Sequence, residues 1–127
     1  MYYLNKTTKY SFAEAEQKIR EALKDKGFGI LTEIDFKATL KAKIDKDIRQ
    51  YKILGACNPN FAYQAFQQEE KIGIMLPCNV TIIENKDGSV DVSIIDPVAA
   101  FEVIKNKSIE PFAKEVKAVL EEALDSI

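Results

Sequence analysis

Histidine is absent from this sequence of 127 residues, and that absence excludes several kinds of chemistry. Without an imidazole, no side chain has an unperturbed pKa near neutrality, so Ser-His-Asp catalysis, Cys-His catalysis and histidine-ligated metal sites are excluded within one chain. Any chemistry must depend on Cys, Asp, Glu, Lys, Tyr or backbone groups. Whether the protein is an enzyme stays open at this point.

The sequence also lacks a charge excess and any long apolar run. It has 18 basic and 20 acidic residues, for a net charge of -2, so we expect neither nucleic acid nor a membrane as a partner. Residues 1–12 lack the apolar segment of a signal peptide, which makes a cytoplasmic location the expectation. The length suits a single domain over residues 1–127 with a core of its own.

Only two cysteines are present, and both lie in one segment, residues 53–80. An asparagine follows each cysteine, in Cys57-Asn58-Pro59 and in Pro77-Cys78-Asn79. In the expected reducing compartment the two thiols are free rather than bridged. The spacing is not C-x-x-C, so it indicates neither thioredoxin chemistry nor a zinc ribbon.

Hydrophobic periodicity predicts alternating strands and helices along the chain. We expect strands at residues 2–8, 28–34, 49–57, 72–82 and 89–95. In the second, Phe28, Ile30, Thr32 and Ile34 share one face; in the fourth, every second residue from Ile72 to Ile82 is apolar. The last two strands form a hairpin whose turn ends at Gly88, where a positive φ is favoured.

Capping residues predict where the helices begin. Ser11, Asp35, Asn58 and Asp96 can each accept a hydrogen bond from the first turn, and proline follows the last two at the first helical position. A closing helix is expected from the region of Ser108 and Pro111. Because the strands alternate in polarity, the chain predicts an α+β fold, with a mostly antiparallel sheet and the long helices packed on one face.

Four blocks of the sequence resemble the domain-of-unknown-function 302 family, in that family's order and spacing. They are GFGILTEIDFKATL (27–40), YKILGACNPNFAYQAF (51–66), IGIMLPCNVTIIE (72–84) and IDP (95–97). The resemblance implies a small, mainly prokaryotic α+β protein with a fold like the TATA-box-binding protein, often dimeric. It implies no activity, because the family has none assigned.

The cysteines are the most suggestive chemical feature. Cys57 ends a strand just before a helix N-terminus, a position that favours the thiolate and predicts a lowered pKa. Cys78 is expected on the core side of its strand, with a normal or raised pKa. The two thiols form a reactive pair, or both serve as small core residues, or they bind a metal with help from Glu33, Asp35 or a second subunit.

Four further residues are candidates for a ligand site near the cysteines. Asn58 is also explained as a helix cap alone, and Asn79 as a partner for a backbone group near Pro77. Glu33 is either exposed to solvent or turned into a pocket. Tyr63 either lines the same site or simply packs.

The leading hypothesis is a domain that binds a small molecule or metal, or acts on thiols, through a pocket around Cys57 and Cys78. The alternative is a non-catalytic assembly or interaction module with both cysteines in the core. The sequence identifies no cofactor. We also expect a homodimer, from a sheet edge near Pro77 and a sheet face that helices leave uncovered.

Overall fold

A computed structural model describes residues 1–127, and its centre is one antiparallel sheet of five strands. The strands are β1 (Tyr3–Thr8), β2 (Gly29–Asp35), β3 (Tyr51–Cys57), β4 (Cys78–Glu84) and β5 (Val90–Ile95). Their order across the sheet is β1-β5-β4-β3-β2, and every neighbouring pair is antiparallel. The predicted antiparallel sheet is therefore confirmed.

The helices are α1 (Phe12–Asp25), α2 (Phe36–Ile44), α3 (Pro59–Gln68), α4 (Pro97–Phe101) and α5 (Glu110–Asp125). The two long helices, α1 and α5, cover one face of the sheet. Their buried residues, such as Ile19 and Leu120, belong to the same core cluster as Leu54, Val80 and Val92 of the strands. This confirms the α+β fold with the long helices packed on one side. No helix is both long and apolar enough to cross a bilayer.

The four predicted caps are all present. Ser11 forms a complete capping box with Glu14, and Asp35, Asn58 and Asp96 each accept hydrogen bonds from backbone N–H groups in the first turn. Each cap satisfies donors that the helix itself leaves free. The hairpin is also confirmed, with β4 paired to β5 and Gly88 at a φ of +88°.

The fourth strand is shorter than predicted. Residues Glu70–Met75 form a 3₁₀ helix, and the strand begins only at Cys78. The first residues of the alternating run have no ladder to join, because Ala56 opposite Cys78 is the last β3 residue that pairs with β4. Ile72 instead fills a second small core with Ala65 of α3. Since β4 is the central strand, the expectation of a sheet edge near Pro77 is also wrong.

The predicted face of β2 is wrong for a different reason. The β2–β3 register shifts between Ile30 and Thr32, so Leu31 is an extra residue and is 68% exposed. Ile30 lies opposite Ala56 on the helix side, while Thr32 and Ile34 lie opposite Gly55 and Ile53 on the other side. A bulge of one residue reverses the alternation, and a pattern of period two does not reveal it.

Candidate functional site

Cys57, Asn58 and Cys78 do come together in the structure. They line one cavity between the end of the sheet and helices α3 and α5, and its remaining walls are mainly apolar, including Phe28 and Phe61. The cavity volume is about 20 Å³. A single water needs roughly 10–15 Å³, so an organic ligand has no room here without movement of the walls.

Both thiols are free, and their surroundings favour the protonated form. Cys78 points toward the helices and is 7% exposed; burial, with a smaller contribution from Cys57, raises its pKa to about 11. Cys57 is half-buried, and burial raises the pKa of this thiol as well. The predicted lowering of the Cys57 pKa is therefore wrong, and neither thiol is a ready nucleophile at neutral pH.

Asn58 explains why the helix terminus does not activate Cys57. Its Oδ1 accepts hydrogen bonds from the backbone N–H groups of Asn60, at 3.1 Å, and Phe61, at 3.3 Å. Its Nδ2 donates to the carbonyl of Lys26 at 3.4 Å. The cap thus takes the amides that a thiolate would need, and its own amide is used to tie α3 to the end of α1.

The other sequence candidates lie away from the cavity. Glu33 is on the helix side of β2, in ion pairs with Arg20 at 2.9 Å and Lys52 at 3.0 Å. The hydrogen bond from Lys52 is the main reason that the pKa of Glu33 is lowered. Tyr63 is 62% exposed on α3, and Asn79 is exposed on the sheet face opposite the helices.

These positions leave no assembled metal site. No group of three or more Cys, Asp or Glu side chains is arranged to hold an ion. Glu33 is engaged by two basic side chains, and Asp35 caps α2 through the N–H of Ala38. The two carboxylates considered as partners for the cysteines therefore serve other structural roles.

A larger feature is the sheet face opposite α1 and α5, which corresponds to the uncovered face expected from the sequence. We call it the open face; the ladder registers assign to it Tyr3, Asn5, Thr7, Thr32, Ile34, Tyr51, Ile53, Gly55, Asn79, Thr81, Ile83, Asp91, Ser93 and Ile95. It contains a hollow of about 470 Å³, lined by residues of β1, β3, β4 and β5.

The composition of the open face is unusual for a solvated surface. Asp91 is its only charged side chain, whereas 30% of the whole chain is charged. The sequence does carry this signal, because the outward positions of β4 and β5 alternate as Thr81, Ile83, Ser93 and Ile95 rather than as lysine and glutamate.

Helix α2 borders the open face. Phe36 at its start packs edge-to-face on Tyr51, with ring centroids 5.1 Å apart. None of its nine residues is buried, and Ile44 at its end is 59% exposed. So short a helix gains little stability on its own, which leaves an apolar edge beside the open face without a packing partner.

The fold and these surfaces define a small α+β protein with one covered and one uncovered sheet face. The chain belongs to the family described as Domain of unknown function DUF302, whose model matches residues 4–127. Its fold is similar to the crystal structure of an uncharacterized conserved protein DUF302 from Bacillus stearothermophilus, with a TM-score of 0.93 and 22% sequence identity. That match covers 98% of this chain and 97% of the other. No curated protein sequence matches the chain.

Proposed function

We propose that this protein is a non-catalytic binding and assembly module whose working surface is the open face, and that two copies pair through it. The observation that carries the proposal is the uncovered, almost uncharged sheet face. Exposed apolar patches on soluble proteins commonly mark interaction sites, and two-fold dimers are the commonest assemblies. The proposal corresponds to the alternative hypothesis from the sequence, a non-catalytic assembly or interaction module with both cysteines in the core.

The side chains of the open face suit a surface that becomes covered. Ile34, Ile53 and Ile83 form an apolar area in the half of the face nearest α2, and Tyr3 and Ile95 lie on its other half. A solvated antiparallel sheet normally carries polar and charged residues at such positions. A second copy also supplies a partner for α2, because Leu40 is only half-buried and Ile44 is exposed.

A ligand or thiol site at Cys57 and Cys78 has less support. In its favour, the two cysteines share one cavity. Against it stand the volume of about 20 Å³ and the raised pKa values of both thiols. The cavity walls are typical of ordinary core packing, in which free cysteine acts as a small hydrophobe.

Sedimentation velocity of matched glutamate variants tests the pairing. Thr81 lies near the centre of the open face, so Thr81→Glu would place a charge in the interface, whereas Gln17→Glu adds the same charge to the exposed side of α1. We expect wild type and Gln17→Glu to sediment as dimers at micromolar concentration and Thr81→Glu as a folded monomer. A wild-type monomer, or a dimeric Thr81→Glu, would overturn the proposal.

A further inference from the structure

The carboxylate of Asp91 lies on the open face without a basic partner. It is half-buried in β5, between Thr7 of β1 and Ile83 of β4. None of the ion pairs in the structure involves it. The nearly buried Asp96, by contrast, pairs with Lys117 at 3.0 Å. A carboxylate that is partly removed from water is stabilised by hydrogen bonds or by a nearby positive charge.

Neutral groups hold Asp91 in place and leave part of it free. Its Oδ1 accepts from the Thr7 hydroxyl at 2.8 Å and from Asn85 Nδ2 at 3.0 Å. Its Oδ2 accepts only one long hydrogen bond, 3.4 Å, from Asn5 Nδ2. Two carboxylate oxygens offer about four acceptor sites, so Oδ2 retains capacity for a strong donor or a positive charge.

The hollow beside Asp91 supplies aromatic and hydroxyl groups. Tyr2, Tyr3 and Tyr51 line it, together with Thr81 and Ser93, and no lysine or arginine does. Aromatic faces attract cations, and quaternary ammonium groups in particular are recognised by such rings. A volume of about 470 Å³ is within the usual range for small-molecule sites.

We propose that this hollow binds a small organic ammonium ion. The carboxylate of Asp91 is the counter-ion, the ring of Tyr51 contacts the carbon substituents of the ammonium group, and the hydroxyls of Thr81 and Ser93 accept hydrogen bonds where the ammonium carries N–H. The inference rests on the open face being the working surface, but it does not require two copies to pair.

Pairing and ammonium binding would reinforce one another. If a second copy covers the open face, Asp91 of each copy loses water without gaining a basic group from its own chain, and burying an unpaired charge is unfavourable. A bound ammonium ion removes that penalty. By linkage, an ammonium ion that binds the paired form more tightly must strengthen pairing.

The test titrates ¹⁵N-labelled wild-type protein with choline chloride and with n-butylammonium chloride, and follows the backbone amide shifts. The neutral isostere 3,3-dimethylbutan-1-ol is the matched ligand control. Asp91→Asn removes the charge while keeping the shape of the side chain. Asp87→Asn is the matched variant control, because Asp87 is exposed in the hairpin turn and does not line the hollow.

We expect at least one ammonium ion to shift amides of β4 and β5, and Asp91→Asn to weaken its affinity about tenfold. Asp87→Asn should bind as wild type does, and the neutral alcohol much more weakly. Absence of shifts at up to about 50 mM ammonium, equal binding of the alcohol, or unchanged affinity in Asp91→Asn would each overturn the inference. If Asp91→Asn is unfolded, the comparison of ligands on wild type decides, with Tyr51→Leu as the second variant.

The result is separable from the pairing experiment. A monomeric wild type that binds choline through Asp91 overturns pairing and retains the ammonium site. A dimer that binds neither ammonium ion retains pairing and overturns the ammonium site.

Discussion

Pro77 lies directly against Gly55 on the open face, although the two residues are 22 positions apart in the sequence. A methyl carbon built on Gly55 would be 2.6 Å from Pro77 Cγ and would also overlap Thr32 Oγ1. Close approach of a neighbouring chain is a recognised reason for glycine within a strand. This contact packs the segment before β4 against the sheet and leads the chain into Cys78, whose side chain faces the helices.

Gly55→Ala should therefore destabilise the protein. We expect a loss of about 1–3 kcal/mol in the free energy of unfolding, because Pro77 and Thr32 must both move to admit the methyl group. Gly29→Ala is the matched control, since a methyl carbon there meets nothing within 4 Å. Urea denaturation of both variants measures the difference; equal stabilities would show that the contact is looser than described.

The hairpin turn gives a second stability prediction. Gly88 has a φ of +88°, a conformation that strains residues with a β-carbon. Gly88→Val should lower the free energy of unfolding by roughly 1 kcal/mol or more, because valine is branched at that carbon. A thermal melt superimposable on that of wild type would contradict the assigned turn geometry.

The features predicted correctly from the sequence depend on local interactions. Ser11, Asp35, Asn58 and Asp96 cap helices with side chains that reach only two or three residues ahead, and Gly88 meets a requirement of its own turn. The alternation of β5 directly reports which residues face the core. Local chemistry of this kind is visible in a single sequence.

The incorrect predictions concern segments whose structure depends on residues far away in the sequence. The apolar alternation from Ile72 to Leu76 suits a strand, but β3 ends before those residues can pair. Leu31 becomes a bulge through the register of β2 on β3, which no local pattern encodes. The site hypothesis overvalued the helix terminus beside Cys57, because Asn58, correctly identified as the cap, already occupies its amides.

Alkylation rates test the thiol environments. The Cys78→Ser variant reports on Cys57, and the Cys57→Ser variant reports on Cys78. Cys57 should be alkylated faster than Cys78, because Cys57 is only half-buried. Both apparent pKa values should lie above that of free cysteine, about 8.5, since burial raises each. An apparent pKa below that value for Cys57 would restore the hypothesis of a reactive thiol.

The raised pKa of Cys78 also predicts how stability depends on pH. The folded protein holds the thiol proton of Cys78 more tightly than the unfolded chain does. The stability that this proton contributes is therefore fully present below pH 9, and it is lost as the pH rises toward the folded pKa of about 11. The stability difference between wild type and Cys78→Ala should therefore narrow from pH 8.5 to pH 11, by at most about 3 kcal/mol. If the free energies of unfolding of the two proteins changed in parallel with pH, the pKa of Cys78 would be the same in the folded and the unfolded protein.

The most direct test of the open face as an assembly surface is the reactivity of a thiol placed on it. Thr81→Cys puts that thiol on the central strand, and Gln17→Cys puts one on the exposed side of α1 as the control. Peptide mass spectrometry distinguishes labelling of the introduced cysteine from labelling of Cys57 and Cys78, which we expect to react more slowly. As protein concentration rises from nanomolar to micromolar, labelling at position 81 should slow about tenfold or more while labelling at position 17 stays constant. A rate at position 81 that does not depend on protein concentration would contradict the proposal that a second copy covers the open face.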